Sequence, residues 1–251
     1  MTSDLAGKTV LVTGASKGIG AGVARVFGEA GAHVAVGYGR DRDGAERVAT
    51  DIEAAGGRAI IVPGDLSKAA ESAAMVETTV AAFGPIHALV NSAGAFDYRA
   101  LGDITEDHVR TILDTNVMGL LMVSRAAVSQ FDPAGGAIIN ISSLSALGNS
   151  PGRAVYAASK AAVNAITKVL ALELADRQIR VNGIMPGYFD TEGARAFGIK
   201  GSEAEVQLLA ATPLAQRPGL PSDLAPVALF LASAASAWMT GEILTVSGGL
   251  R

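Results

Sequence analysis

The sequence predicts an α/β fold: a three-layer, doubly wound sheet of about seven parallel strands with helices on both faces. Two observations predict it. Short β-branched, apolar runs alternate with longer segments of helical period along the whole chain, at the spacing of βαβ units. Glycine, proline and short polar residues gather just after the strand-like runs, which places them beyond one edge of a parallel sheet. Crossovers in such a sheet are right-handed. There is no linker and no break in composition, so residues 1–251 are expected to form one domain.

Residues 8–13 form a β-branched run ending at Gly14, and read as a buried strand. The junction Gly14-Ala15-Ser16-Lys17-Gly18-Ile19-Gly20 leads into a helix marked by Ile19, Val23, Val26, Phe27 and Ala30. A glycine-rich turn entering a helix lets backbone N–H groups approach a phosphate at an electropositive helix start. Its spacing is GxxxGxG rather than GxGxxG. Residues 33–38 give the second strand, 40–55 a polar-faced helix closed by Gly56-Gly57, and 59–62 the third strand. Residues 67–83 give a helix with Ser67 as N-cap. The fourth strand, 86–90, runs into Asn91-Ser92-Ala93-Gly94. A long helix begins at Thr105 and carries Asn116 among apolar residues up to Val128. The fifth strand, 137–141, ends at Ser142-Ser143. A helix to about Ala175 and a sixth strand, 179–185, follow, the latter stopped by Pro186-Gly187. The stretch 188–221 is too long for an ordinary connection and reads as a lid, with a short helix at 202–211. A helix at 222–233 and a last strand at 243–246 close the pattern.

Nearly half of the residues are apolar, and the net charge is −4 with no long basic run, which argues against a nucleic-acid surface. Cysteine is absent, so thiolate chemistry, disulfides and cysteine metal sites are excluded. His33, His87 and His108 are scattered without ligand spacing. The start has no signal-peptide pattern, and no apolar window approaches the ~20 residues of a membrane span. A soluble cytoplasmic protein with no membrane partner is expected.

The chemistry concentrates between Ser143 and Lys160. Tyr156 and Lys160 are four apart, so on a helix they share a face. An ammonium beside a phenol favours the phenolate. Ser143 stands where the fifth strand would deliver it to the sheet edge.

With these pieces in order, the chain resembles the short-chain dehydrogenase/reductase family, in its single-domain Rossmann-type form, over essentially its whole length. TGASKGIG at 13–20 is similar to the family's cofactor turn, and NSAG at 91–94 to the usual NNAG. Asn116, Ser143, Tyr156 and Lys160 match the catalytic tetrad, with Ser143 and Tyr156 thirteen apart. Asp65-Leu66 matches the turn that holds adenine; Pro186-Gly187 and Thr191 match the segment that holds nicotinamide. WMTGEILTVSGG is similar to the closing strand.

The resemblance implies a hydride-transfer oxidoreductase acting on CH–OH or C=O groups. Tyr156 would be the acid–base, its ordinary pKa near ~10 lowered by Lys160 and the nicotinamide charge. Ser143 would stabilise the developing alkoxide. Lys160 would also hold the nicotinamide ribose, and Asn116 would link Lys160 to a water chain. Cofactor contacts are expected from Gly14, Ser16, Lys17, Gly18, Ile19, Gly20, Tyr38, Arg40, Asp65, Leu66, Asn91, Ala93, Gly94, Tyr156, Lys160, Pro186, Gly187 and Thr191. NAD-preferring folds of this kind carry an acid after the second strand. Here that position is Tyr38, followed by Gly39 and Arg40, with Lys17 on the same side. Two cations and no acid favour NADP, with NAD possible as well.

Substrate contacts are expected from Ser143, Leu144, Tyr156 and Tyr188, with walls at Ala95 and Phe96, at Leu144 to Asn149 and along 189–212. These are mostly apolar and suit a ketone or keto ester. A 3-oxoacyl-(acyl-carrier-protein) reductase is the main alternative. SQFDPAGG and LALEL lack basic residues for an acidic carrier, whereas Arg177 and Arg180 are nearby. A sugar or secondary-alcohol dehydrogenase and a non-catalytic nucleotide-binding regulator are further readings. The apolar excess of the helices at 106–128 and 155–175 suggests a second buried face. The resemblance implies a homo-oligomer, commonly a tetramer.

Overall fold

A computed structural model describes residues 4–148, 150–214 and 216–251. Asn149 of the expected substrate wall lies outside the described residues, as does Ala215 of the 188–221 stretch. Seven strands form one parallel sheet: β1 (Thr9–Thr13), β2 (His33–Tyr38), β3 (Arg58–Pro63), β4 (Ile86–Asn91), β5 (Gly136–Ile141), β6 (Ile179–Pro186) and β7 (Ile243–Val246). Their order is β3-β2-β1-β4-β5-β6-β7, and every pairing is parallel. The chain reverses its winding between β1 and β4, so a crevice opens beyond their carboxyl ends.

The helices are α1 (Gly18–Glu29), α2 (Arg42–Ala54), α3 (Ala69–Phe83), α4 (Glu106–Leu113), α5 (Leu120–Val128), α6 (Ala154–Glu173), α7 (Glu192–Ala196), α8 (Glu203–Ala210) and α9 (Pro221–Ala232). Successive strand side chains point to opposite faces, and the core divides accordingly. Val10, Val12, Val34, Val36 and Val90 join Phe27, Val48 and Leu224 on the side of α1, α2 and α9. Leu11, Ala35, Leu89 and Ile138 join Met75, Val76, Val123 and Ala127 on the side of α3 and α5. Each fully buried aliphatic or aromatic side chain contributes about 1.5–3 kcal/mol. The three-layer expectation therefore holds strand by strand.

Three local expectations need correction. Ser67 does not cap α3. Its N–H and hydroxyl both donate to Asp65 Oδ1, at 3.1 and 2.7 Å, so the aspartate closes its own turn and the helix starts after Lys68, which makes no side-chain cap. The long helix expected from Thr105 is interrupted by a π-helical turn, Asp114–Gly119, that contains Asn116. Inserted turns of this kind bend a helix and often sit at functional positions. Third, the 23-residue run Glu106–Val128 is long and apolar enough to cross a membrane by length and composition, contrary to the sequence expectation. It packs on the sheet instead: Leu120, Val123, Ser124 and Ala127 are buried. In the expected lid, the helix at 202–211 is α8, capped by Ser202. The short α7 beside it carries no apolar period from which to predict it.

Candidate active site

The β1–α1 turn is built for close approach. A Cβ on Gly14 would lie 2.6 Å from Ala93 Cα, and one on Gly20 would drive into the Gly14 carbonyl oxygen. Gly14 and Gly18 both take positive φ, 62° and 59°. No side chain caps the start of α1 at Lys17. Instead the Gly18 N–H donates to Glu192 Oε2 at 2.9 Å. The turn therefore already holds an anion at a helix start, reached from the opposite end of the chain. Ser16 and Ile19 lie within this turn, and the Ala15 N–H ties it to Gly37 O at 2.7 Å.

Beyond β2, Tyr38 is buried against the core at 7 % exposure, while Gly39 and Arg40 are exposed. Asp41 caps α2, accepting from the Gly44 N–H at 2.9 Å. Asp65, past β3, is exposed and held below the usual carboxylate range, first by the Ser67 hydroxyl and then by Lys68 and Arg40 among its neighbours. Leu66 is buried and packs so tightly that a Cβ on Gly119 would lie 2.8 Å from its Cβ.

Beyond β4, Thr13 Oγ1 accepts from the N–H groups of Ser92 and Ala93, both at 3.1 Å. The Asn91 side chain turns inward, donating to Ser124 Oγ at 3.0 Å and Asn140 Oδ1 at 2.8 Å. Asn140 in turn donates to Thr167 Oγ1. What Asn91 offers at the sheet edge is therefore backbone. Asn116 reads the next loop: its Oδ1 accepts from the Ala95 N–H at 2.7 Å, and its Nδ2 donates to Ala95 O at 2.8 Å and Ser159 Oγ at 3.0 Å. It makes no direct hydrogen bond to Lys160. Both of its amide ends are engaged, and it meets Lys160 only across Gly94, where a Cβ would lie 3.4 Å from Asn116 Oδ1 and 3.5 Å from Lys160 Nζ.

Ser143, Tyr156 and Lys160 converge at the end of β5. Lys160 is 5 % exposed and donates to Ile141 O at 2.9 Å, while Ser142 Oγ donates back to Lys160 O. Strand end and helix are thus cross-tied. Burial brings the Lys160 ammonium down to about 8. Its Nζ lies 5.9 Å from the Tyr156 ring centroid. Burial pushes the Tyr156 phenol up, and Tyr98 adds to this, while the Ser143 hydroxyl and Arg153 pull it down. Desolvation is the largest of these effects, and Lys160 Nζ is turned toward the Ile141 carbonyl.

Beyond β6, Pro186 is buried and the Gly187 N–H bonds Val246 O at 2.9 Å. Thr191 caps α7 and stands over the glycine turn: a Cβ on Gly18 would lie 3.5 Å from its Cβ. Tyr188 donates to Glu205 Oε1 at 2.6 Å, so its hydroxyl fastens α8 and does not face Tyr156. Asp190 pairs with Arg195 and Lys200 at 2.6 and 2.9 Å. Leu144 is buried and fronts a cavity of about 670 Å³ that Leu147, Met185, Leu214 and Leu250 also line.

Two residues beside the phenol escaped sequence reasoning: Tyr98 and Arg153. The Tyr98 ring lies 5.7 Å from Tyr156, and Phe197 lies 4.9 Å from Phe96 and 5.3 Å from Tyr98. The Arg153 guanidinium sits 4.7 Å over the Tyr98 ring. Tyr98 and Arg153 come from the loop after β4 and the start of α6, neither of which has a periodic pattern. The available signal was scarcity: aromatics are 5 % of the chain, and Phe96-Asp97-Tyr98 holds two of them.

Known proteins are similar to this chain in sequence and in fold. The family model described as enoyl-(acyl carrier protein) reductase matches residues 14–251. An uncharacterized oxidoreductase of Methylorubrum extorquens is 48% identical over 99% of this chain and 100% of its own. A 3-oxoacyl-(acyl-carrier-protein) reductase of Chlamydia muridarum is 36% identical over 100% of both. Among solved structures, a 7α-hydroxysteroid dehydrogenase complexed with NADH and 7-oxoglycochenodeoxycholic acid superposes with TM-score 0.92 at 34% identity, covering 98% of this chain and 97% of that one. A blue fluorescent protein from a metagenomic library, complexed with NADPH, superposes with TM-score 0.90 at 33% identity, covering 99% of both. The parallel sheet in this order, the glycine turn and these matches carry one conclusion: the chain belongs to the short-chain dehydrogenase/reductase family of oxidoreductases.

Proposed function

We propose that this chain reduces a ketone or keto ester to the alcohol, reversibly, with a nicotinamide cofactor and Tyr156 as proton donor. One observation carries the reading. Ser143, Tyr156 and Lys160 converge at the end of β5, beside a glycine turn whose Gly18 N–H already holds a carboxylate. A turn that accepts an anion there fits a cofactor pyrophosphate, with Ser16, Lys17, Ile19 and Gly20 around it. When bound, the cofactor supplies the hydride to the carbonyl carbon. Tyr156 gives its hydroxyl proton to the carbonyl oxygen, so C=O becomes CH–OH. Ser143 donates to that oxygen as negative charge builds. Burial favours the protonated phenol, the form the reduction uses. Lys160 braces the end of β5 and faces Gly94, where the nicotinamide ribose would lie. Asn116 holds the Ala95 backbone in place as a positioning residue.

NADPH is the preferred reductant in this reading. Lys17 and Arg40 are exposed at the ends of the adjacent β1 and β2, and neither forms an ion pair among the described residues. Asp41, the next residue, is engaged as the cap of α2, and Asp65, on which Arg40 acts, forms its hydrogen bonds with Ser67. Comparing kcat/KM for the two cofactors checks this. NADPH is expected to lead by about tenfold or more, from one or two charge-assisted contacts to a 2′-phosphate. Equal or higher efficiency with NADH would remove the claim.

The carrier-protein alternative loses one of its two nearby cations. Arg180 is directed inward, donating to Ser236 Oγ at 2.9 Å and Ser233 O at 3.2 Å. The chain acts as one domain in this reading, with α7 and α8 as its lid. Val169 and Leu172, 52% and 81% exposed on α6, give a second copy of the chain an apolar surface to cover.

A further inference from the structure

We propose that Arg153 sets the substrate class: it receives a carboxylate carried by the ketone, whose flat apolar body lies against Phe96, Tyr98 and Phe197. The inference rests on the function proposed above and narrows it from ketones in general to keto acids.

Arg153 stands one turn before Tyr156, at the start of α6. It is half-buried. Its guanidinium is stacked on Tyr98, and its Nη1 donates to Ser145 Oγ at 3.1 Å. Ser145 lies two residues past Ser143, so Arg153 borders the reactive oxygens on the side of the Ser143 loop. Lys160 borders them on the side of Gly94. No carboxylate lies within ion-pair distance of Arg153 among the described residues. The acid in the facing loop, Asp97, pairs with Arg99 at 2.8 Å. A guanidinium carries five N–H donors in a planar fork that matches a carboxylate at two points. Stacking on Tyr98 fixes the plane of that fork. The charge also reaches the chemistry, since it pulls the phenols of Tyr156 and Tyr98 downward. A half-buried cation without a counter-charge among the described residues, beside a proton donor and stacked on one ring of an aromatic cluster, selects an anion on a flat molecule. An arginine that only braced the loop through Ser145 would make no such selection.

Phenylglyoxylate and its methyl ester separate the two roles, because they differ only in charge at the carboxyl group. For the wild-type protein, kcat/KM with NADPH is expected to favour the acid by about tenfold or more. In Arg153→Gln that preference should collapse by about 10- to 100-fold, chiefly through KM, as a charge-assisted pair is replaced by a neutral one. Arg153→Lys should restore part of it. Calorimetric binding of both compounds to the protein loaded with oxidised NADP gives the same comparison without turnover. There the acid is expected to bind more tightly than the ester in wild type but not in Arg153→Gln. Wild type that binds or reduces the ester better than the acid overturns the proposal, as does a parallel loss for both compounds in Arg153→Gln. The parent reading fails separately: Tyr156→Phe that still reduces either compound would contradict the proton donor while leaving the binding preference to stand.

Discussion

Tyr156→Phe is expected to lower kcat for ketone reduction by about 10²- to 10⁴-fold, the usual contribution of a positioned general acid. Reduced-nicotinamide binding should stay within about threefold of wild type. The substitution removes one oxygen. The ring keeps its edge contacts with Phe96 and Tyr98, 6.3 and 5.7 Å between centroids. The polypeptide around it is held by other groups: Ser159 Oγ donates to the Tyr156 carbonyl, and Asn116 donates to Ser159. Loss of turnover without loss of cofactor binding therefore isolates the hydroxyl. Steady-state kinetics and fluorescence titration of the cofactor provide the two readouts. Turnover at the wild-type rate would refute the assigned role.

Lys160→Met is expected to abolish turnover and, at the same time, to stabilise the free protein. A lysine held to about 8 by burial, against an ordinary value of 10.5, costs the fold about 3 kcal/mol while it is charged. The lost hydrogen bond to Ile141 O offsets about 1 kcal/mol of the gain. The remainder corresponds to a rise in Tm of about 4–8 °C at pH 7. The sign with pH follows from the lowered value. Below about 8 the residue is protonated in both folded and unfolded chains, and its cost is fully present. Between about 8 and 10.5 only the unfolded chain keeps the proton, so wild-type stability rises with pH across that window. The methionine variant lacks this rise, and the two proteins should converge by pH 10.5. Thermal melts at pH 7 and pH 10 check both statements. A variant less stable than wild type at pH 7 would show that Lys160 is a net structural support. The expected pattern is a residue retained for chemistry against the interest of the fold.

Much of this was legible in the chain because periodicity and turn chemistry survive without an alignment. The β-branched runs 33–38 and 86–90 are bounded by Gly31, Gly39 and Gly94, and the folded strands His33–Tyr38 and Ile86–Asn91 differ from them by at most one residue. The convergence of Gly14, Asn91, Ser143 and Pro186 at one edge follows from parallel topology alone. What was not legible depends on where side chains end. Nothing in the sequence says that Asn91 turns inward to Asn140, that Tyr188 donates to Glu205, or that Glu192 reaches Gly18 across 174 positions. The surroundings of Tyr156 are hidden for a related reason. Spacing places Lys160 on the same helix face but does not show how deeply the phenol is buried or which way Nζ points. Phe96 and the stretch 189–212 were expected as walls but Tyr98 was not, because Phe96, Tyr98 and Phe197 meet only once the loop after β4 and the end of α7 are folded together.

The central claim is that this chain moves a hydride to a carbonyl carbon beside Tyr156. The most direct measurement uses NADPH carrying deuterium on the transferred face of C4, a ketone the protein turns over, and mass spectrometry of the alcohol. The account predicts one deuterium, on the carbinol carbon, in a single enantiomer of the product, and no labelled alcohol from Tyr156→Phe on the same timescale. Alcohol formed without deuterium with both faces of the cofactor tested, or labelled alcohol formed equally fast by Tyr156→Phe, would contradict it.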